Sequence, residues 1–176
     1  MQLRLLSLVA CAAAFAPRSP VRSATPRFAG PASSQSMLPA SAQKLMGMLG
    51  TAEKRADISF DLTMEVIADM YDYRDVAFSV GDVASAAGDN KGSSKIFAFA
   101  KIAGLEASTT LALFGAYFFD DVLKHPDGSD HANIRAFMAG GWDCVAFPDG
   151  LSLAPKDLQN SYEAFGPALG SEYQTS

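Results

Sequence analysis

The densest run of side chains able to do acid, base or ligand chemistry is DDVLKHPDGSDHANIR, Asp120 to Arg135. It holds both histidines of the chain, His125 and His131, and four carboxylates, Asp120, Asp121, Asp127 and Asp130. Imidazole and carboxylate together suit zinc or iron, and a facial site needs only three ligands, so His125, His131 and Asp121 are the candidate metal ligands. Two histidines with five residues between them, two of which favour a turn, match no recognised ligand motif. The same letters also read structurally: Asp130 caps a helix, Asp127 and Gly128 shape a turn, and Asn133 and Arg135 tie the loop to Asp120 or Asp121.

A second run, GDNKGSSK from Gly88 to Lys95, leads from a glycine-containing loop into a helix start. Backbone N–H groups at such a start attract anions, which makes Asn90, Gly92, Ser93 and Lys95 candidates for holding a phosphate or carboxylate. The phosphate-loop pattern G-x4-G-K-[ST] is not matched. Ser93 or Ser94 with His131 would lack the G-x-S-x-G elbow of a hydrolase nucleophile. Cys144 reads as a small buried hydrophobe. Trp142, after Gly140 and Gly141, reads as a core ring, or as a pocket wall if Asn90 and His131 share its cleft. No cofactor is required by these residues, and no catalytic constellation is complete.

The elements that must position these side chains are mostly helical. From Ser59, a plausible N-cap, Phe60, Met64, Ile67 and Tyr71 recur at helical spacing and define the expected core stripe. Asp57, Asp61, Glu65 and Asp69 fall every four residues along another side, a solvated face or a docking strip for a basic protein partner. Between Tyr73 and Asn90 a short extended piece at Ala77 to Val80, with a possible turn at Gly81-Asp82, reads as a small hairpin or an irregular arm. A helix from Ser93 or Ser94 should stop at Gly104, and a longer one from about Glu106 to Leu123 is expected as the central core helix. A short helix through Phe137 and Met138 ends at Gly140-Gly141. A strand over Trp142 to Phe147 meets the turn Pro148-Asp149-Gly150, and a last helical pattern runs from Pro155 to Phe165.

With 176 residues and a net charge of -5, the chain has room for one domain. Charge is unevenly placed: no acid precedes Glu53, while residues 53–176 carry nine basic and nineteen acidic residues, a net of -10. So acidic a body would be repelled by a phosphate backbone, which excludes nucleic acid as the expected partner. Arg4 precedes a run of about ten apolar residues from Leu5 to Ala14, the size of a signal-peptide core and too short for a membrane span. Ala12 and Ala14 offer an A-x-A cleavage site, leaving Phe15 first. The acid-free, Ser-, Pro-, Ala- and Arg-rich stretch that follows has transit-peptide composition. Cys11 leaves with the signal, so Cys144 has no intrachain partner in the mature protein.

This bipartite layout, with Ala-Phe-Ala-Pro at the junction, resembles presequences addressed to complex plastids of secondary origin; simple secretion is the alternative. The stretch Met37 to Arg55 reads as the end of the linker or a loose helix. The expected division is therefore a signal peptide at 1–14, a transit peptide or disordered linker at 15–50, a domain at 51–168 and a disordered tail at 169–176.

From Gly92 to Phe147 the chain resembles the type III effector HopJ family. The resemblance is carried by Lys95-Ile96-Phe97, by Thr110-Leu111-Ala112-Leu113-Phe114-Gly115, by Asp120-Asp121-Val122-Leu123, and by Asp130-His131-Ala132-Asn133-Ile134-Arg135 through Gly141-Trp142. It departs at Ser94, where the family usually has Cys, at Val80, where Asn is expected before Gly81, and at Phe119, where a basic residue is common. The resemblance implies a mainly α, small helical domain with a minor β-hairpin or strand element, and it implies no established activity. A binding or accessory module with no transmembrane segment in the mature chain is the leading expectation. The alternative is a small metal-dependent enzyme, or a metal- or anion-binding protein, using the loop from Asp120 to Arg135.

Overall fold

Residues 38–156 are described by the computed structural model. Residues 40–49, read above as the end of a linker or a loose helix, form α1 (Ala40–Leu49), which buries Ala42, Leu45 and Leu49. After α2 (Ala52–Ala56), Ser59 caps α3 (Phe60–Met70) as expected, its hydroxyl accepting the Leu62 N–H at 3.2 Å. The core stripe of α3 is turned from the expected one. Leu62, Thr63, Val66, Ile67 and Met70 are buried, Phe60 and Met64 lie at the core's edge, and Tyr71 has left the helix. Thr63 enters the core because its hydroxyl donates to the Leu113 carbonyl at 3.0 Å, so a polar residue sits where a hydrophobic count would not place one.

Tyr71 opens β1 (Tyr71–Tyr73), which pairs antiparallel with β5 (Leu153–Pro155). Of the two readings of this segment the hairpin is the one that forms, β2 (Phe78–Val80) pairing with β3 (Val83–Ser85) around Gly81, whose φ of +57° supplies the turn, and β4 (Val145–Ala146) adds to the other edge of β2. The predicted strand over Trp142 to Phe147 is thereby reduced, because Gly141–Cys144 winds into a 3₁₀ turn before β4. Pro155 closes a strand instead of opening a helix, and the helical pattern beyond it lies outside the described residues.

The helix at the centre of the core is α4 (Lys91–Ile102), where Ile96, Phe97, Ala98, Phe99 and Ala100 are buried in succession. It begins two to three residues before the expected Ser93 or Ser94, after Asn90 in the left-handed region, and ends as expected. Gly104, at φ +63°, follows the last turn, and the Leu105 N–H reaches the Ala100 carbonyl at 2.9 Å while the Gly104 N–H reaches that of Lys101.

The expected long core helix from Glu106 to Leu123 is broken. α5 (Ala107–Ala112) stops at a turn, and a π-helical segment follows at Tyr117–Val122, with the Leu123 N–H bonded five residues back to Phe118. The break is at Gly115, whose φ is +58°; a Cβ there would lie 2.7 Å from the Phe60 nitrogen and 2.9 Å from the Ile58 oxygen. α3's backbone passes too close for any side chain at that position. α6 (Ala132–Gly140) then ends at Gly141, φ +61°. The fold is mainly α with small antiparallel strands, and Phe97 stands at its centre, with ring centroids 4.9 Å from Phe137 and 5.4 Å from Phe114. Among the described residues no helix is long and apolar enough to cross a membrane.

Candidate functional site

α4 and α6 are linked at two places. Asn90, before α4, and Asn133, in the first turn of α6, both donate to the Ser85 hydroxyl, at 3.0 and 3.4 Å, while further along both helices Phe97 meets Phe137. α3 starts at the same end. Phe60 packs its ring against Gly92, where a Cβ would come within 2.9 Å of the ring, and Tyr71 beyond its C-terminus meets Phe99, with centroids 5.9 Å apart. Tyr117 bridges the remaining side, edge-on to Phe60 at 5.0 Å and against the His131 ring at 5.2 Å. Ser85, Asn90, Gly92, Phe60, Tyr117, His131 and Asn133 thus form a closed circuit around the starts of α4 and α6.

Both of these starts are strained. Asn90 at φ +47° and His131 at φ +49° are the non-glycine residues with positive φ among the described residues, and each immediately precedes the first turn of its helix. His131, and not Asp130, therefore occupies the cap position of α6, without a side-chain cap bond. Asp130 is taken by Arg135: Nη2 donates to its carboxylate at 2.6 Å and Nε to its carbonyl at 2.7 Å. The Arg135 hydrogen bond holds the Asp130 carboxyl below its usual pKa, with the guanidinium charge adding to it. Further bonds run from Arg135 to the carbonyls of His125 at 2.9 Å, Pro126 at 3.4 Å and Asp121 at 3.3 Å, so one guanidinium gathers the loop from 121 to 130.

His131 Nε2 lies 3.1 Å from the Asp121 carboxylate and 3.8 Å from that of Asp130. His125 contributes its carbonyl to this loop. Among the described residues no group of three His, Cys, Asp or Glu side chains is arranged to hold a metal ion, so His125, His131 and Asp121 do not assemble as the ligand set considered above. Asn133 also departs from its expected role, turning inward to Ser85 and away from Asp120, which pairs with Lys124.

On the other flank of α4, Lys95 sits 4.8 Å from the Tyr73 ring centroid and Lys91 3.1 Å from Asp75. The Lys91 hydrogen bond lowers the Asp75 pKa, while burial, and then Asp75, raise that of Tyr73. Ser93 makes no side-chain hydrogen bond among the described residues, and Ser94 is fully buried, so neither forms a pair with His131. Trp142 is remote from the circuit: its indole donates to the Leu105 carbonyl at 2.8 Å, and its ring packs edge-on to Phe137 at 5.1 Å. It closes the core, and no contact joins it to Asn90 or His131.

The model of the HopJ type III effector protein family matches residues 47–151. The chain belongs to that family. A similar solved structure, described as the crystal structure of unknown function protein VPA0580, is 40% identical, with a TM-score of 0.61, over 65% of this chain and 92% of that one. No curated protein matches the chain. Of the three departures from the HopJ pattern, Ser94 and Val80 are fully buried, Val80 in β2, and Phe119 is half-buried beside Phe118. Sequence reasoning missed Ser85 and Tyr117 as parts of the circuit and counted Phe60 only as core. Ser85 carries no signal beyond being a polar residue at the end of a hairpin.

Proposed function

We propose that this HopJ protein is a non-catalytic binding or accessory module of a complex plastid, docking a basic protein partner through an acidic surface made by Asp57, which the structure places at the end of α2 and not on α3, and by Asp61 and Glu65 on α3. The observation that carries this reading is the state of Asp57, Asp61 and Glu65: all three are exposed, and among the described residues none has an ionic partner. Asp69, at the far end of the row, accepts a hydrogen bond from Ser41 at 2.6 Å. Asp61 and Glu65 are like charges four residues apart on α3, which cost about 0.2–0.5 kcal/mol when unpaired, a cost that a cationic surface would remove. The plastid address rests on the tandem signal and transit composition, and the acidic body argues against nucleic acid.

The test replaces Asp57, Asp61 and Glu65 by Lys together, positions that make no other side-chain bond among the described residues. Parent and variant are used to capture partners from plastid extract at low and raised salt. A partner retained by the parent at low salt, lost at raised salt and absent from the variant supports the reading. Equal capture by both proteins would remove it.

A further inference from the structure

We propose that the C-terminal residues 157–165 form a helix that straps the apolar edge of α3, laying Leu158, Tyr162 and Phe165 over Ala68, Met64 and Phe60. The strap does not depend on the basic partner proposed above. Phe60, Met64 and Ala68 follow one another four residues apart, so they line one side of α3. Phe60 and Met64 are half-buried and Ala68 is exposed. The Tyr117 ring, 42% exposed and edge-on to Phe60 at 5.0 Å, extends the apolar strip past the start of the helix.

The end of the described chain argues for this occupant. β5 runs antiparallel to β1 with Pro155 opposite Tyr71, and the pairing continues one residue further, the Lys156 N–H donating to the Met70 carbonyl at 3.0 Å. Lys156 Nζ donates to the Ala68 carbonyl at 2.6 Å, meeting a last-turn carbonyl of α3. The chain is therefore delivered to the C-terminal end of α3, beside Ala68, and heads back along that helix toward Phe60. In the residues that follow, which lie outside the described ones, Leu158, Tyr162 and Phe165 recur four and three apart, one stripe of a helix, while Asp157, Gln159, Asn160 and Glu163 fall on its other sides. Gly166-Pro167 then supplies a stop. A helix over 157–165 is about 13.5 Å long, against about 12 Å from Ala68 back to Phe60. Leu158 thus falls at Ala68, Tyr162 at Met64, and Phe165 at Phe60 and Tyr117. A segment tethered this closely is present at the edge at an effective concentration in the millimolar range, which favours it over a second copy of the chain. The family match covers residues 47–151, so it assigns no role to this segment.

The experiment uses the full chain with ¹³C-labelled methionine methyl groups and ¹⁵N-labelled backbone. Nuclear Overhauser cross-peaks are expected between the Met64 methyl and the Tyr162 ring, unchanged on dilution. The amides of Tyr162 to Phe165 should exchange with solvent about tenfold or more slowly in the parent than in a Tyr162→Ser, Phe165→Ser double variant. That variant leaves every contact among the described residues in place, so its body folds as the parent's does. In it the Met64 methyl resonance should shift while that of Met138, on α6, stays. Met64→Gln, made from the other side of the contact, should speed exchange at the same tail amides. Cross-peaks found only between differently labelled copies would assign the edge to a second copy and overturn the strap. So would the absence of a contact between Met64 and Tyr162, or tail amides that exchange equally fast in parent and double variant.

Discussion

Gly115 and Gly104 share almost the same backbone, φ +58° and +63°, yet differ in what surrounds them. A Cβ on Gly104 meets nothing within 4 Å, whereas one on Gly115 would lie 2.7 Å from the Phe60 nitrogen, 2.9 Å from the Ile58 oxygen and 3.2 Å from the Ser59 carbon, all backbone atoms. Gly104→Ala therefore carries the left-handed conformational cost alone, about 1–2 kcal/mol. Gly115→Ala carries the same cost plus that of pushing the start of α3 aside, about 1–3 kcal/mol for overpacking. At about 4 °C per kcal/mol for a domain of this size, Tm should fall by about 4–8 °C for Gly104→Ala and about 8–20 °C for Gly115→Ala. Thermal unfolding followed by far-UV circular dichroism, on both variants and the parent in one buffer, measures the difference. An equal loss, or a larger one for Gly104→Ala, would refute the close approach of α3 to Gly115, and with it the reason given for the broken helix.

The Asp130 carboxyl, held below its ordinary pKa by Arg135, contributes stability that is fully present above its unfolded value and is lost as pH falls through the lower folded value. Urea midpoints of the parent should therefore exceed those of Asp130→Asn at neutral pH and converge with them below about pH 4; a gap independent of pH would contradict the pairing. Tyr71 is 2% exposed and its hydroxyl has no partner among the described residues, and burial pushes its phenol well above the ordinary pKa. Since an unsatisfied buried hydroxyl costs about 1–3 kcal/mol, Tyr71→Phe should be neutral or stabilising in urea unfolding. A loss above about 1 kcal/mol would show that the hydroxyl is satisfied after all.

Local chemistry was legible where a residue acts on its own neighbours. Ser59 capping α3, Gly81 turning the hairpin, Gly104 stopping α4 and Gly141 ending α6 each follow from a side chain, or the lack of one, within a few residues of the effect. The family, too, could be recognised from residue order alone. Three things were decided only by tertiary structure. α3 bears two apolar stripes, and the packing of α1 and α4 chose the one containing Thr63, whose hydroxyl needed the distant Leu113 carbonyl to be buried. The long apolar run after Glu106 reads as one helix with a glycine in it, and only the tertiary structure shows that the chain breaks at Gly115, where the backbone of Phe60, more than fifty residues away in the chain, leaves no room for a side chain. Among the candidate site residues, Asp121, Asp130, His131 and Arg135 meet as a loop near one another in sequence, whereas Asn90 and Asn133 come together only because both reach Ser85. Periodicity and caps report interactions spanning a turn or two, while which helix starts share an end depends on crossovers that no local pattern encodes.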